Sequence, residues 1–225
     1  MNKLLILFFV LTVVVSGCVS QQGTIDQNQT TVKPERCVPT GSDIEGPFYR
    51  EGAPFRDDIA PSNAKGEKLI ITGKVLDSNC EPLEGAIVDI WHTDANGAYD
   101  NDSPNFWYRG KVRAKKDGSF KFETYKFETI KPGRYSIGTG FRPAHIHIKA
   151  YIPDFKTLTT QIYFSDDPYL APLDACGVCN SDPNNPEDKT HIIDLTQDEN
   201  GIWRGEFDII LEAGSKIKQE IKTYK

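Results

Sequence analysis

The chain has 225 residues, of which 38% are hydrophobic, and this length is enough to bury one substantial core. Its formal net charge is -6 at pH 7, and the sequence pI is about 5.3. This acidic balance argues against a nucleic-acid partner and against electrostatic attachment to an anionic membrane, because both need a basic face. A small molecule is therefore the expected partner.

The N-terminal segment 1–17 carries one charged side chain, Lys3, followed by an apolar run and by small residues directly before Cys18. The run is too short for a permanent transmembrane helix and is typical of a signal peptide. The residues before Cys18 resemble the lipobox of prokaryotic lipoproteins, in which the cysteine receives the lipid and becomes the mature N-terminus. We expect an exported, cell-envelope protein attached to a membrane only through Cys18. An ordinary signal peptide with an incidental cysteine is the alternative.

Residues 18–36 are polar and show no apolar period with which to pack, so they are expected to form a flexible tether. Residues 37–225 are expected to form one folded domain. The other four cysteines would lie in an oxidising compartment, where disulfides persist. Four cysteines allow three pairings, and the one with the least long-range closure joins Cys37 to Cys80 and Cys176 to Cys179. A redox-active or zinc-binding role for the Cys176 and Cys179 pair is the alternative.

After Pro61, short β-like runs alternate with turn residues, which is typical of a sandwich or barrel. In the turn that follows the second of these runs, Asn96 and Gly97 suit positive backbone φ angles. Residues 165–190 form a long stretch dense in Asp, Asn and Pro, which a function or a disulfide should explain. An all-β fold is predicted. The predicted strands are residues 68–76, 85–92, 119–125, 134–137, 144–151, 159–164 and 202–211.

Two histidines, His145 and His147, flank Ile146 inside a predicted strand. Side chains two residues apart on a strand point to one face about 6–7 Å apart, so both imidazoles can bind one metal ion. Two histidines that merely share a polar face are the alternative. The other histidines, His92 and His191, have no carboxylate at a familiar ligand spacing, and no Glu follows the pair as in a cupin. Zinc would prefer a further His or Cys.

Five sequence blocks accompany the histidine pair. In chain order they read GPFY at 46–49, VDIW at 88–91 with GAY at 97–99, PGRY at 132–135, FRPAHIH at 141–147 and TQIYF at 160–164. Together they resemble the intradiol ring-cleavage dioxygenases, the family that contains protocatechuate 3,4-dioxygenase and the catechol and hydroxyquinol 1,2-dioxygenases. The resemblance implies a two-sheet β-sandwich of Greek-key, prealbumin-like or immunoglobulin-like type, with long active-site loops.

The resemblance also implies a non-haem Fe(III) cofactor. Its implied ligands are Tyr99, Tyr135, His145 and His147. Phenolate oxygen suits this hard cation, whose field can hold a tyrosine ionised far below its usual pKa of about 10. The implied reaction inserts both atoms of O2 into a catechol-type aromatic, with intradiol cleavage to a muconate-type product.

By the same resemblance, Arg142 and Gln161 bind the substrate and take part in catalysis, and Tyr135 is the tyrosinate that the substrate displaces. Tyr49 matches a pocket tyrosine. The connection 136–141 is shorter than in many relatives, so the resemblance does not predict the pocket wall at that place. Two other interpretations remain: a non-catalytic, surface-exposed β-sandwich binding module, and a zinc or copper site on the same histidine pair. The oligomeric state and the particular catechol are not specified by the sequence.

Overall fold

The computed structural model describes residues 36–116 and 123–214. Almost all regular structure in these two ranges is β, which confirms the predicted all-β fold, and Asp188–His191 form a 3-10 helix. No helix in the described ranges is long and apolar enough to cross a membrane. The strands are β1 (Lys68–Asp77), β2 (Ile87–His92), β3 (Arg109–Arg113), β4 (Lys115–Lys116), β5 (Glu123–Ile130), β6 (Ser136–Ile137), β7 (Gly140–Phe141), β8 (His145–Tyr151), β9 (Leu158–Phe164), β10 (Ile192–Ile193), β11 (Thr196–Gln197), β12 (Trp203–Glu206) and β13 (Ile209–Leu211).

The predicted signal peptide (1–17) and lipidation site Cys18 lie outside the described residues. The same holds for the predicted tether (18–36), apart from its last residue, Arg36. These three features therefore stay predictions.

Two sheets form the fold. The six-stranded sheet has the order β11-β12-β1-β5-β4, with β13 also paired to β1, and the five-stranded sheet has the order β10-β9-β8-β2-β3. Strands β6 and β7 make a separate hairpin. The long strand β1 runs parallel to β12 along its first half and parallel to β13 along its second half, and it is antiparallel to β5. The fold is a two-sheet β-sandwich.

The core lies between the sheets, and it decides where the histidines point. Alternate residues of β8, namely Ile146, Ile148 and Ala150, are fully buried in one cluster with side chains of β1 and β5. Because successive side chains of a strand point to opposite faces, His145 and His147 project from the outer face of the five-stranded sheet. Each histidine is nonetheless only 2% exposed, because loop residues such as Tyr99 pack against it there.

The prediction of one continuous strand over 202–211 is wrong, because the chain breaks between β12 and β13. At the break the Asp208 side chain accepts the hydrogen bond of the Lys74 backbone N–H at 2.8 Å, which replaces a main-chain partner. The Phe207 carbonyl accepts the hydroxyl of Tyr125 at 2.6 Å. Because the Asp208 side chain takes the place of a main-chain acceptor in the sheet, β12 can end here and β13 can begin after two intervening residues.

Other strand boundaries also differ from the prediction. Strand β3 was not predicted, because its sequence RGKVR has no clear apolar alternation. Its first residue, Arg109, is nonetheless buried, since its guanidinium donates to the carbonyls of Phe48 and Asp100 at 2.7 and 2.8 Å. The described part of the strand predicted over 119–125 starts at Glu123 and continues to Ile130, whereas the strand predicted over 134–137 is reduced to β6.

The described part of the chain contains two disulfides. One joins Cys37 to Cys80 and the other joins Cys176 to Cys179, which is the pairing that the sequence favoured. The first ties the start of the described chain to the turn after β1. The second lies within the long loop 165–190.

Candidate metal centre

The two histidines of β8 lie side by side on the outer face of the sheet. Their ring centroids are 4.9 Å apart. The Nδ1 of His145 lies 2.6 Å from the carbonyl oxygen of Pro143. Because a carbonyl only accepts, Nδ1 carries the proton, and the lone pair of His145 is on Nε2. This nitrogen is therefore available to bind a metal ion.

Tyr99 brings its phenol oxygen to both imidazoles. This oxygen lies 3.1 Å from Nε2 of His147 and 3.4 Å from Nε2 of His145. The ring of Tyr135 lies 5.8 Å from the ring of Tyr99 and 5.6 Å from that of His145, measured between centroids. The four side chains predicted as ligands are thus neighbours, although their binding of a metal stays a prediction.

Backbone contact between two loops brings the tyrosines together. Gly97, in the turn before Tyr99, has a φ of +86°, as its place after Asn96 predicted. A Cβ atom on Gly97 would lie 2.2 Å from the carbonyl oxygen of Arg134, the residue before Tyr135. Only glycine allows such an approach of two main chains.

Burial sets the protonation of the side chains in the centre. Burial and the charge of Arg142 lower the pKa of His145 to about 3. Burial, with His145, holds the pKa of His147 well below its ordinary value, so both imidazoles are neutral, as metal binding requires. Burial and Tyr135 raise the pKa of Tyr99, so this phenol needs a nearby cation to ionise.

The donor set at this centre is unlike a carboxylate site. Within residues 36–116 and 123–214, no group of three or more His, Cys, Asp or Glu side chains is arranged to hold a metal ion. The centre offers two imidazole nitrogens together with the phenols of Tyr99 and Tyr135, and phenolate is a ligand that a hard trivalent cation accepts. The residues present fit a ferric ion.

Aromatic rings pack the donors in place. Trp91 of β2 pairs across the sheet with His147, and their rings stack at 4.8 Å with 5° between the planes. Phe48 stacks on Tyr99 at 4.3 Å and meets Tyr135 edge-on at 6.1 Å. Both aromatic residues lie in the sequence blocks above, but their role could not be predicted, because their contacts depend on strand pairing and loop packing.

Arg142 is buried beside the centre in a network of side chains. Its Nη2 donates to Tyr163 at 2.7 Å and to Oε1 of Gln161 at 3.1 Å, and its Nε donates to Asp174 at 2.9 Å. Burial disfavours the charged guanidinium, but Tyr163 and Asp174 outweigh it and raise the pKa of Arg142. Neither Asp174 nor Tyr163 was predicted to belong to the site. Tyr163 could have been found, since it lies two residues after Gln161 and therefore shares its face of β9.

Tyr49 contacts Asp89 and Trp91. Its hydroxyl donates to Asp89 at 3.1 Å, and its ring meets the edge of Trp91 at 4.9 Å. Burial and the charge of Asp89 raise its pKa. In this block Phe48, and not Tyr49, contacts the candidate ligands Tyr99 and Tyr135, so the substrate contact of Tyr49 stays a prediction.

The all-β sandwich thus gathers two imidazoles, two phenols and a buried arginine at one face of the five-stranded sheet. A sequence profile of the dioxygenase family matches residues 44–211, a range that includes all of these side chains. The chain belongs to the intradiol ring-cleavage dioxygenase family.

Similar proteins agree with this assignment. Chlorocatechol 1,2-dioxygenase from Rhodococcus opacus is 35% identical over 172 residues, which cover 68% of this chain and 66% of the relative. 6-chlorohydroxyquinol 1,2-dioxygenase from Cupriavidus pinatubonensis is 33% identical over 204 residues, which cover 84% of this chain and 68% of the relative. The chain thus spans about two thirds of the length of these relatives.

A solved structure is also similar to this chain. It is the dioxygenase domain of a dioxygenase and carbohydrate-binding protein fusion from Streptomyces sp. SirexAA-E. This domain is 29% identical with a TM-score of 0.63, and the match covers 79% of this chain and 100% of the domain.

Proposed function

We propose that the protein is a non-haem Fe(III) dioxygenase that inserts both atoms of O2 into a catechol-type aromatic and opens the ring between its two hydroxylated carbons. The product would be a muconate-type dicarboxylic acid. The observation that carries this proposal is the convergence of the Tyr99 oxygen with Nε2 of His145 and Nε2 of His147, beside the ring of Tyr135. The relatives named after chlorocatechol and chlorohydroxyquinol support the substrate class.

The four side chains would hold the iron. When bound, Fe(III) supplies a Lewis acid and a template for the two oxygens of the diol. The histidines give rigid nitrogen donors, since β8 lies inside the five-stranded sheet between β2 and β9. The tyrosines give oxygen donors from two loops.

Tyr135 is assigned the proton transfer that accompanies substrate binding. A catechol that binds as a dianion loses two hydroxyl protons: we assign one to the phenolate oxygen of Tyr135, and the other would pass to a hydroxide ion, which leaves as water. The oxygen of Tyr99 lies against both imidazoles, whereas Tyr135 meets the centre through ring contacts. This difference supports Tyr135 as the side chain that leaves its place when the diol enters.

Arg142 would orient the ring and stabilise the negative charge that develops on it. A guanidinium is always charged and planar, and a fixed donor in a water-poor site stabilises such charge without reorganisation. Gln161 would keep Arg142 in place through the hydrogen bond of 3.1 Å. Phe48, stacked on Tyr99, would form an apolar wall of the pocket.

The domain would work outside the cytoplasm, attached by a lipid on Cys18 and a tether over residues 18–36. The sequence before Cys18 supports export, and the two disulfides support an oxidising compartment. Labelling with a radioactive lipid precursor tests the anchor. Substitution of Cys18 by Ala should abolish the label, and a Cys18→Ala protein that keeps it would contradict the anchor.

The iron and the reaction are tested together by colour and oxygen uptake. The purified iron-loaded protein should be red-brown from tyrosinate-to-iron charge transfer, and it should consume O2 with a panel of catechols to give a dicarboxylic acid. Tyr99→Phe should lose both colour and turnover, whereas Tyr151→Phe, on the same strand as the histidines but outside the centre, should keep both. A colourless protein that binds one zinc ion per chain would overturn the proposal.

The role of Arg142 is tested separately. Arg142→Ala should keep the colour but lower kcat by about 100-fold, because only a donor to the reacting ring is removed. Full activity in this variant would exclude the assigned role.

A further inference from the structure

The long acidic loop 165–190 contributes a buried carboxylate to the site. Asp174 accepts from Nε of Arg142 at 2.9 Å, and its second oxygen lies 3.4 Å from Nη2. The side chains of both partners are only 2% exposed. Asp174 was not predicted to have a role, either from the sequence pattern or from the family resemblance.

The loop holds this carboxylate in a fixed orientation. One oxygen of Asp174 accepts the backbone N–H of Cys176 at 2.9 Å, and the other accepts the hydroxyl of the buried Ser181 at 2.9 Å. Between these two donors the chain is closed by the disulfide from Cys176 to Cys179. The carboxylate therefore presents both oxygens to Arg142 with little freedom to rotate.

The opposite side of the guanidinium is also held. Nη2 donates to Tyr163, whose hydroxyl in turn donates to Asp43 at 2.8 Å, and to Gln161, whose amide nitrogen donates to the carbonyl of Ile44 at 3.0 Å. These bonds use Nε and Nη2 of Arg142. No hydrogen-bond acceptor in residues 36–116 and 123–214 meets Nη1, so its donors are left for a bound substrate.

We propose that Asp174 is a positioning residue that fixes the plane of the Arg142 guanidinium so that Nη1 faces the substrate. The proposal rests on the function proposed above for Arg142. An arginine side chain has several rotatable bonds, and an ion pair with two contacts to a planar fork fixes both its place and its plane. Such orientation matters for rate, since a displacement of about 1 Å can lower turnover by about 100-fold.

Kinetics of Asp174→Asn test the effect on turnover. We expect kcat to fall by about 10-fold to 100-fold while KM changes by less than about threefold, because the lost orientation affects the reacting state more than ground-state binding. Asp198→Asn is the matched control, since Asp198 pairs with Arg204 at 2.8 Å on an exposed turn. Wild-type kcat in Asp174→Asn would overturn the proposal.

A double-mutant cycle separates positioning from a general structural effect. If Asp174 acts only through Arg142, the variant Arg142→Ala with Asp174→Asn should have the same kcat per folded iron site as Arg142→Ala alone, within about twofold. A further loss of about 10-fold in the double variant would overturn the proposal. The comparison does not need Asp174→Asn to fold by itself, and counting only folded iron sites corrects for any protein that Arg142→Ala unfolds by leaving the buried Asp174 carboxylate without its partner.

A measurement without iron or substrate separates this proposal from the proposed function. In the metal-free protein, the Nε–H of Arg142 should give a nitrogen-15 signal that exchanges slowly with water, identified by its loss in Arg142→Lys. In Asp174→Asn this exchange should be at least about 10-fold faster. Unchanged exchange would refute the positioning role, whereas faster exchange in a protein without dioxygenase activity would refute only the proposed function.

Discussion

Replacement of Gly97 by alanine tests whether backbone contact holds the two candidate tyrosines together. Gly97 has a φ of +86°, and an added Cβ would lie 2.2 Å from the carbonyl oxygen of Arg134. The left-handed backbone costs a non-glycine residue about 1 kcal/mol, and overpacking against main chain adds about 1–3 kcal/mol. We therefore expect Gly97→Ala to lower the free energy of unfolding by about 2–4 kcal/mol.

The clash falls on the segment that carries Tyr135, so the variant should also bind iron less tightly and show weaker tyrosinate-to-iron absorbance. Urea unfolding of the metal-free protein measures the first effect, and visible spectra after iron loading measure the second. Gly85→Ala is the matched control, because Gly85 has a φ of +80° but nothing in the described structure lies within 4 Å of its added Cβ. It should lose about 1 kcal/mol and keep its absorbance. Equal losses in the two variants would refute the reasoning.

Three further changes have defined outcomes. Burial lowers the pKa of His92 from 6.5 to about 4, so the unfolded chain binds the proton more readily, and this residue removes about 3 kcal/mol of stability as the pH falls from 6.5 to about 4. His92→Gln should therefore flatten the dependence of urea unfolding on pH over that window, and an unchanged slope would contradict the assignment. Removal of the disulfide between Cys37 and Cys80, 43 residues apart, should cost about 4 kcal/mol, against about 2 kcal/mol for the other bridge, whose cysteines are 3 apart. The reverse order of denaturation midpoints would be inconsistent with loop closure as the cause. Ile146→Val should cost about 1 kcal/mol and leave the iron absorbance intact, because this side chain points to the core and not to the centre.

Strands that bury one face in the core were predictable, because their apolar residues recur at every second position. The prediction over 144–151 agrees with β8 within one residue, because buried aliphatic residues alternate with residues of the other face. The pattern failed for β3, where Arg109 is buried through its hydrogen bonds to carbonyl groups and not through an apolar side chain. The pattern failed again near Asp208, where the predicted strand 202–211 is interrupted. A carboxylate replaces a main-chain hydrogen-bond partner there, and this does not change the alternation of apolar residues.

The candidate site divides in the same way into local and distant parts. A spacing of two on a strand places His145 and His147 on one face, so their proximity follows from sequence alone. The two tyrosines lie on separate loops, and only the family resemblance singled them out. Asp174 lies 32 residues after Arg142 in a loop with many acidic residues, and no local rule distinguishes the one carboxylate that meets the guanidinium.

Under the proposed function, the placement of the four candidate ligands would let a substrate enter without disturbing the fold. The histidines lie on a strand that is paired on both sides, so their movement would break sheet hydrogen bonds. Tyr135 is followed instead by the hairpin of β6 and β7, where Ile137 and Phe141 are 45% and 42% exposed. A segment with so little burial opens at low cost in free energy. Under the proposed function, Tyr135, which would give way to a diol, thus lies on a segment that opens at low cost, whereas His145 and His147, which would keep the iron, lie on the sheet.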